Sequence, residues 1–445
     1  MNVFAETIKK LTPSFVQQIS TVHRLLLAVI ALAAVLRIGW VLYAQTIPGS
    51  DFHQYDLLAQ RLANGQGYVD EFGEPSAFYA IGWPFFLSIV YRIFGYSLIA
   101  AQLVNALMAV GSVALVFVIS RYLLNDRFAL LAALLVAINP TLVLYSSAHG
   151  TESLFIFQLL LISWLLMRSI KSPTAFGLIL IGILTGLAVL VRPVAICVPL
   201  GAFAADYFMN RRDIRNSLKK AIIIVGVSIV IVAPWVVRNS VAVGATTLQT
   251  SSGVTLWIGH NPDATGGLMP PPVIDGLGAQ GARPGAGENT SEAEANSAYT
   301  SAAIRSVLNN PLRTVTLIPS KMFELWAGHR HAVSHSTRHN YRGIPDYVIK
   351  FLPLLTQAYL VLLLGIVLIA YGLKNSRRLL LTGTGLGLTG TMFFWNAYHA
   401  LNFGSGRYHV PMEPFLAIMA ASAISAIILK SRVTRGTSRN STPGN

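Results

Sequence analysis

The chain reads as a succession of long apolar runs separated by short polar or charged turns. The runs lie at about 25–43, 97–120, 128–146, 153–170, 176–191, 193–210, 221–238, 351–372, 379–398 and 411–429. Crossing a bilayer takes about 20 apolar residues, within a range of about 17–25. Most runs meet that length. The run at 176–191 is short, and Arg192-Pro193 parts it from the next, so the two read as a tight helical hairpin. The polar segment before Leu25 is too long for a cleaved leader and has no small-residue cleavage site after the first run. It predicts a retained anchor.

Two longer stretches interrupt the runs. In the first, about 44–96, Ser50 or Asp51 is placed to cap a helix carrying Tyr55, Leu58 and Leu62, whose apolar stripe suits a helix lying flat on the membrane. Its second half, 78–95 (FYAIGWPFFLSIVYRIFG), is apolar but contains Gly82, Pro84 and Arg92, and by pattern alone it reads either as a span or as an interfacial helix. The second stretch, about 239–350, has a Gly/Pro-rich middle from Asp263 to Gly287. Ser291 with Glu294 then spells a capping box that opens a helix running to about Asn309. A further helix-like pattern runs from Leu312 to Trp326. No strand-rich domain and no internal repeat is evident.

Composition turns these runs into membrane spans. Of 445 residues, 53% are hydrophobic and 11% charged, against about 25% charged in a soluble protein. A chain of this size could not cover its surface in water with so few charges. Lys and Arg number 33 against 18 Asp and Glu, a net of +15. Cytoplasmic loops concentrate Lys and Arg. If 78–95 lies in the interface, 19 basic and four acidic residues fall on one side, leaving 14 of each sign for the rest. If 78–95 spans, that asymmetry is lost. The charge therefore orients the chain and does not point to nucleic acid.

The expected fold is all-α: a polytopic transmembrane bundle of about ten spans in the cytoplasmic (inner) membrane, with both termini cytoplasmic. Residues 1–238 form a seven-span part with the first outer loop at 44–96. Residues 239–350 form a large outer loop. Residues 351–445 add three spans and a basic cytoplasmic tail. The single cysteine, Cys197, excludes an internal disulfide, a cysteine zinc site and an iron–sulfur cluster.

The outer span ends carry Asp51, His149, Glu152, Arg192, Arg238, Arg407 and His409. Polar groups gathered on one face beside lipid need a reason. Carboxylates can act as bases or metal ligands, and an arginine fork suits a phosphate. Asp51 also reads as a helix cap, Glu152 as a charge favoured at a helix start, and each arginine as a snorkel. Arg37, inside the first span, reads as a snorkel. The tract His329, His331, His335 and His339 has metal-like spacing, but Arg330 and Arg338 within it repel a cation, so it reads better as a solvated basic loop. Asn289-Thr290-Ser291 has the form of a glycosylation sequon.

The segments SDFHQYDLLAQRLANGQGY, AIGWPFFLSIVYRIFG, INPTLVLYSSAHGTE, VRP, PWVVRN, LWIGHNPDATGG and GSGRYHVPMEP together resemble, in order, the GT-C membrane glycosyltransferases. The branch is the one similar to protein O-mannosyltransferases and the lipid A aminoarabinose transferase. The resemblance implies transfer of a sugar from a polyprenyl-phosphate donor to an acceptor hydroxyl on the outer face, the acceptor being a glycan, a lipid or a protein. It implies that Asp51 positions or deprotonates the acceptor and that Glu152 supports it. Arg192, Arg238, Arg407 and His409 would hold the donor phosphate, with Tyr55 and Tyr408 positioning substrate. No cofactor is required by the resemblance. A divalent metal on Asp51 and Glu152 stays open, because members of the superfamily differ. The absence of a Walker A motif and of a cytosolic nucleotide-sugar domain fits a lipid-linked donor. The competing expectation is a transporter or lipid flippase, which predicts ionisable residues deep inside spans and two related halves.

Overall fold

A computed structural model describes residues 13–171, 173–209, 213–269, 290–328, 343–381 and 383–439. The histidine tract, His329 to His339, lies outside the described residues, as does most of the Gly/Pro-rich stretch. Among the described residues the elements are helices, with an isolated antiparallel bridge pairing Val69 with Pro75.

The helices in chain order are α1 (Pro13–Ala44), α2 (Asp51–Ala63), α3 (Gly82–Phe94), α4 (Leu98–Ser120), α5 (Asp126–Ala137), α6 (Pro140–Leu144), α7 (Glu152–Lys171), α8 (Ala175–Val191), α9 (Cys197–Met209) and α10 (Ile214–Ala242). The second half holds α11 (Ser252–His260), α12 (Glu292–Asn309), α13 (Pro311–Thr316), α14 (Ile318–Trp326), α15 (Asp346–Gly372), α16 (Lys374–Leu380), α17 (Gly383–Ala400) and α18 (Glu413–Arg439). Six of the described helices are long and apolar enough to cross a membrane, including α1, α4, α10 and α15. The others assigned to the ten expected spans are shorter or interrupted. Helix α3, at 13 residues, is about 20 Å long, too short to cross.

The run expected as one span at 128–146 is broken. Helix α5 ends at Ala137, and Asn139 caps a new turn at Leu142 N, with Pro140 in its first position. A residue before proline is pushed out of the helical region, so the break is written in Asn139-Pro140. The break also explains Arg37. Rather than snorkelling, Arg37 is fully buried and donates to Ala137 O at 2.8 Å and Val136 O at 2.9 Å. Its cation thus closes the carbonyl end of α5, where the helix dipole is negative. Arg37→Met should cost on the order of 3 kcal/mol, since buried carbonyls lose a charged donor. A drop in melting temperature in detergent, with α5 amides exchanging faster, checks this.

The bundle packs through small residues. Gly182 and Gly186 on α8 let α10 approach: a side-chain carbon on Gly182 would meet Val227 and the Ile224 carbonyl at under 3 Å, and Ser228 Oγ donates to Gly182 O. This is the small-residue spacing that lets membrane helices touch. Gly201 on α9 does the same against Thr391 on α17. The centre is held by α18 and the short 3₁₀ turn that leads into it: from Val410 to Ala423 every residue is buried. The peripheral α1 buries only 17% of its apolar window, against 78% there.

The long loop segments dock on one end of this bundle. Ser291 and Glu294 form the expected capping box at the start of α12. Lys321 on α14 is fully buried, its Nζ 3.2 Å from Ala400 O and 3.4 Å from His260 Nε2. Burial, aided by Arg313, pushes its ammonium down to about 8 from 10.5. Between those values the unfolded chain holds more protons than the folded one, so stability rises with pH across that window. Thermal melts from pH 8 to 10.5 should show this rise, and Lys321→Gln should flatten it.

Candidate functional site

Three loops and the start of α2 meet at the loop-bearing end. The first joins α2 to α3. Arg92 donates to Leu62 O and Ala63 O, closing the end of α2, while Asp56 accepts from Tyr91, Tyr96 and Gln60. These bonds fix α2 against α3. The second loop, Tyr145 to Thr151, is buried, so its carbonyls need donors. Thr46 Oγ1 serves Ser147 O, Asn105 serves Ala148 O, and Trp83 serves His149 O. Gly150 is required by closeness: a carbon there would lie 2.2 Å from Glu152 Oε2 and 2.8 Å from the Phe52 ring. The third loop, 401–409, precedes the central helix.

These loops bring Asp51, Glu152, Arg192 and Arg407 into one chain of contacts. Arg192 Nη2 lies 2.5 Å from Glu152 Oε1, and Arg407 Nε lies 2.6 Å from the same oxygen. Arg407 Nη1 then reaches Asp51 Oδ2 at 3.2 Å. Arg192 Nε also donates to Thr151 Oγ1 at 2.7 Å. The row runs inward from Asp51, whose side chain is 46% exposed, to Glu152 at 1%. Its formal charge is zero, which is what a site of limited solvation tolerates. Arg407 lies over the Phe52 ring at 4.7 Å and Arg192 over Phe155 at 5.6 Å. Burial works against the charge on Arg407, but Glu152, Tyr55 and Asp51 hold its pKa well above the ordinary value.

Asp51 is not a cap. It is the first residue of α2, whose N-cap position, Ser50, makes no side-chain cap bond and has φ of 54°. The Asp51 carboxylate instead accepts from Tyr79 Oη at 3.0 Å and from Arg407. Tyr55 packs edge-on against Tyr79, ring centres 5.0 Å apart, and burial pushes its phenol up to about 12 against the pull of Arg407. It therefore stays protonated. Tyr408 stacks on His399 at 5.0 Å, and burial raises its phenol too.

Two of the predicted donor-phosphate residues sit apart from this row. Arg238 donates to Ser76 O at 2.6 Å and Tyr68 O at 2.7 Å and lies over Trp235 at 5.1 Å. It fastens the first loop, which Glu292 also grips through Ser76 Oγ and Ala77 N while accepting from Thr250 Oγ1 of the second outer stretch. His409 is fully buried: Nδ1 is 2.6 Å from Leu325 O, Nε2 is 3.4 Å from Glu413, and the ring stacks on Trp326. It pins α14 to the central helix. His149 is buried as well, and burial lowers its imidazole to about 4 despite Asp56, so it carries no charge.

Three contributors lay outside the sequence-level prediction: Tyr79, Thr151 and the ring of Phe52. Tyr79 stands at the edge of a recognised segment, so a signal was present. Phe52 and Thr151 lie inside recognised segments too, but their roles depend on which arginine lands beside them. The donor set also argues against a metal on Asp51 and Glu152. The cation between the two carboxylates is Arg407, and among the described residues no three His, Cys, Asp or Glu side chains converge.

Comparison with known proteins gives a family match over part of the chain and a shared fold. Residues 79–237 match the family described as dolichyl-phosphate-mannose-protein mannosyltransferase. Putative mannosyltransferase YycA of Bacillus subtilis is 28% identical over 201 residues, covering 42% of this chain and 29% of that protein. Among solved structures, the oligosaccharyltransferase of Archaeoglobus fulgidus in its apo form is similar, with 16% identity and a TM-score of 0.54 over 94% of this chain and 52% of that one. The archaeal oligosaccharyltransferase AglB of the same organism, in complex with an inhibitory peptide and a dolichol-phosphate, matches with 14% identity and a TM-score of 0.53 over 95% and 52%. The chain thus spans about half the length of these structures and less than a third of the curated relative.

Proposed function

We propose that this chain, which belongs by family match and fold to the GT-C superfamily of membrane glycosyltransferases, moves a sugar from a polyprenyl-phosphate donor to an acceptor hydroxyl. The reaction takes place on the outer face of the cytoplasmic membrane. The observation that carries this reading is the single row Asp51–Arg407–Glu152–Arg192, open at the Asp51 end. Asp51, the exposed carboxylate, takes the proton from the acceptor hydroxyl. The acceptor oxygen then bonds to the sugar's anomeric carbon as the bond from that carbon to the phosphate oxygen breaks, and the electron pair leaves with the polyprenyl phosphate.

Arg192 and Arg407 meet the charge that builds on the phosphate. Each guanidinium offers five N–H donors. The bonds to Glu152, Thr151 and Asp51 engage Nε and one terminal nitrogen of each arginine, so the forks stay oriented while presenting their other edges. Donors aimed beforehand at developing charge are worth most where water is scarce. Glu152 orients both arginines, and no step passes through a metal. Tyr55 and Tyr408 line the site as protonated phenols and position substrate. Arg238 and His409 act at a distance by holding the first loop and α14.

The test is transfer by purified protein. With a polyprenyl-phosphate sugar and an envelope extract, mass spectrometry should find an acceptor heavier by one sugar and an equal amount of free polyprenyl phosphate. Sugar appearing across a proteoliposome membrane with the donor intact would overturn this reading in favour of transport.

A further inference from the structure

The segment from Pro311 to Trp326, helices α13 and α14, wears its polarity reversed. Leu317, between the two, keeps helical backbone angles. Its N–H donates to Arg313 O at 3.0 Å, and Lys321 N donates to Leu317 O at 2.9 Å. Side chains therefore turn by about 100° per residue through the junction. On that spacing Leu312, Val315, Ile318 and Phe323 fall within one arc of about 140°. They are 73%, 59%, 36% and 72% exposed. The charged residues of the segment, Arg313, Lys321 and Glu324, fall on the opposite face. There Arg313 donates to Asn261 O at 2.8 Å and Ala264 O at 3.0 Å, Lys321 donates to Ala400 O, and Glu324 packs on Gly267. A helix bathed in water turns its apolar stripe inward and its charges out. A helix bathed in lipid does the reverse, because a charge is costly there and an exposed apolar side chain is not.

Contacts at the end of α14 set its depth. Leu325 O lies 2.6 Å from Nδ1 of His409, and Trp326 stacks on the same imidazole. His409 immediately precedes Val410–Ile428, a helix long and apolar enough to cross a membrane. The end of α14 is thus level with the end of a span. Along α17, Lys321 meets Ala400 and Trp326 Nε1 donates to Asn396 Oδ1 at 2.8 Å, so α14 runs back beside the last turn of that helix. Phe393, one turn before Asn396 on the same side of α17, is 66% exposed. Exposed apolar surface therefore continues from α14 down the bundle. A face that docks another protein is rimmed by polar groups. Here the hydroxyl at the edge of the arc, on Thr316, turns back to donate to Arg313 O at 2.9 Å, as a side chain without water does.

We propose that α13 and α14 lie in the membrane leaflet on the side of the acid–arginine row, with the face of Leu312, Val315, Ile318 and Phe323 against lipid. Arg313, Lys321 and Glu324 are turned onto the protein, where their partners are. The stretch expected as an outer loop thus returns to the bilayer before α15 crosses it. This surface is separate from the proposed transfer and does not rest on it.

Spin labelling of the full chain in phosphatidylcholine vesicles tests this. The native chain has one cysteine, Cys197, which is buried and sets the background label. Leu312→Cys, Val315→Cys and Phe323→Cys each replace an exposed side chain, so the fold is spared. Glu74→Cys, exposed in the first loop, is the control in water. At the three apolar positions oxygen, which concentrates in lipid, should relax the nitroxide more than a water-soluble nickel chelate does. At Glu74→Cys the order should reverse. A chelate effect larger than that of oxygen at any of the three positions would overturn the proposal by placing the face in water. Exclusion of both reagents would overturn it too, because protein would then cover the face. So would dipolar broadening between labels, the mark of a second copy on it. None of these readouts uses transfer activity, so they stand or fall apart from the proposed reaction.

Discussion

Asp51→Asn is expected to lower the transfer rate by about 10³-fold while leaving the protein folded, because general-base contributions run at about 10²–10⁴. Asparagine keeps the shape and can still accept from Tyr79, whose Oη lies 3.0 Å from Asp51 Oδ1. Arg407 stays tied to Glu152 at 2.6 Å. Little changes, then, except the ability to take a proton. The loss should fall on kcat, with KM for the donor nearly constant, since the donor phosphate is assigned to the arginines. Turnover near the native level in the asparagine protein would remove Asp51 from its role. Tyr79→Phe offers a graded companion, with a loss of about tenfold, as one charge-assisted bond orienting the carboxylate disappears.

Arg407→Lys is expected to be almost as damaging despite keeping the charge. Arg407 holds two carboxylates with two different nitrogens, Nε on Glu152 and Nη1 on Asp51. A lysine is a point charge on a flexible stem and cannot reproduce that fork. The rate should fall about 10²-fold, with KM for the donor rising as well. Arg407→Ala should also destabilise the chain by about 3–5 kcal/mol, because buried Glu152 would keep only Arg192. The double variant Arg407→Ala/Glu152→Gln should recover much of the stability and none of the activity. If it recovered activity too, the row would be a packing device only.

The sequence carried the helical repeat and the membrane, since 20-residue apolar runs and an 11% charge content admit little else. It also carried the capping box at Ser291 and the order of loop segments that resembles the superfamily. It misread Arg37, because a lone arginine in an apolar run looks like a snorkel until its partner, the broken end of α5, is in view. The break itself is spelled by Asn139-Pro140, inside a run whose hydropathy alone predicts one span.

The site divides along the same line. Residue type and span ends singled out Asp51, His149, Glu152, Arg192, Arg238, Arg407 and His409, because charged groups at membrane depth are few and costly. Which of the outer arginines face one another was decided by tertiary structure alone. Arg238 and Arg407 look alike in sequence, each near the end of an apolar run. One clasps the carbonyls of the first loop, and the other bridges Glu152 and Asp51, which lie 255 and 356 residues from it along the chain. Hydropathy fixes the depth of a residue, since depth depends only on the residue's own helix. It cannot fix azimuth, because the face a helix turns inward depends on the small residues and loops of its neighbours. Sequence alone set the architecture and the inventory of charges, and packing decided which of those charges meet in one row.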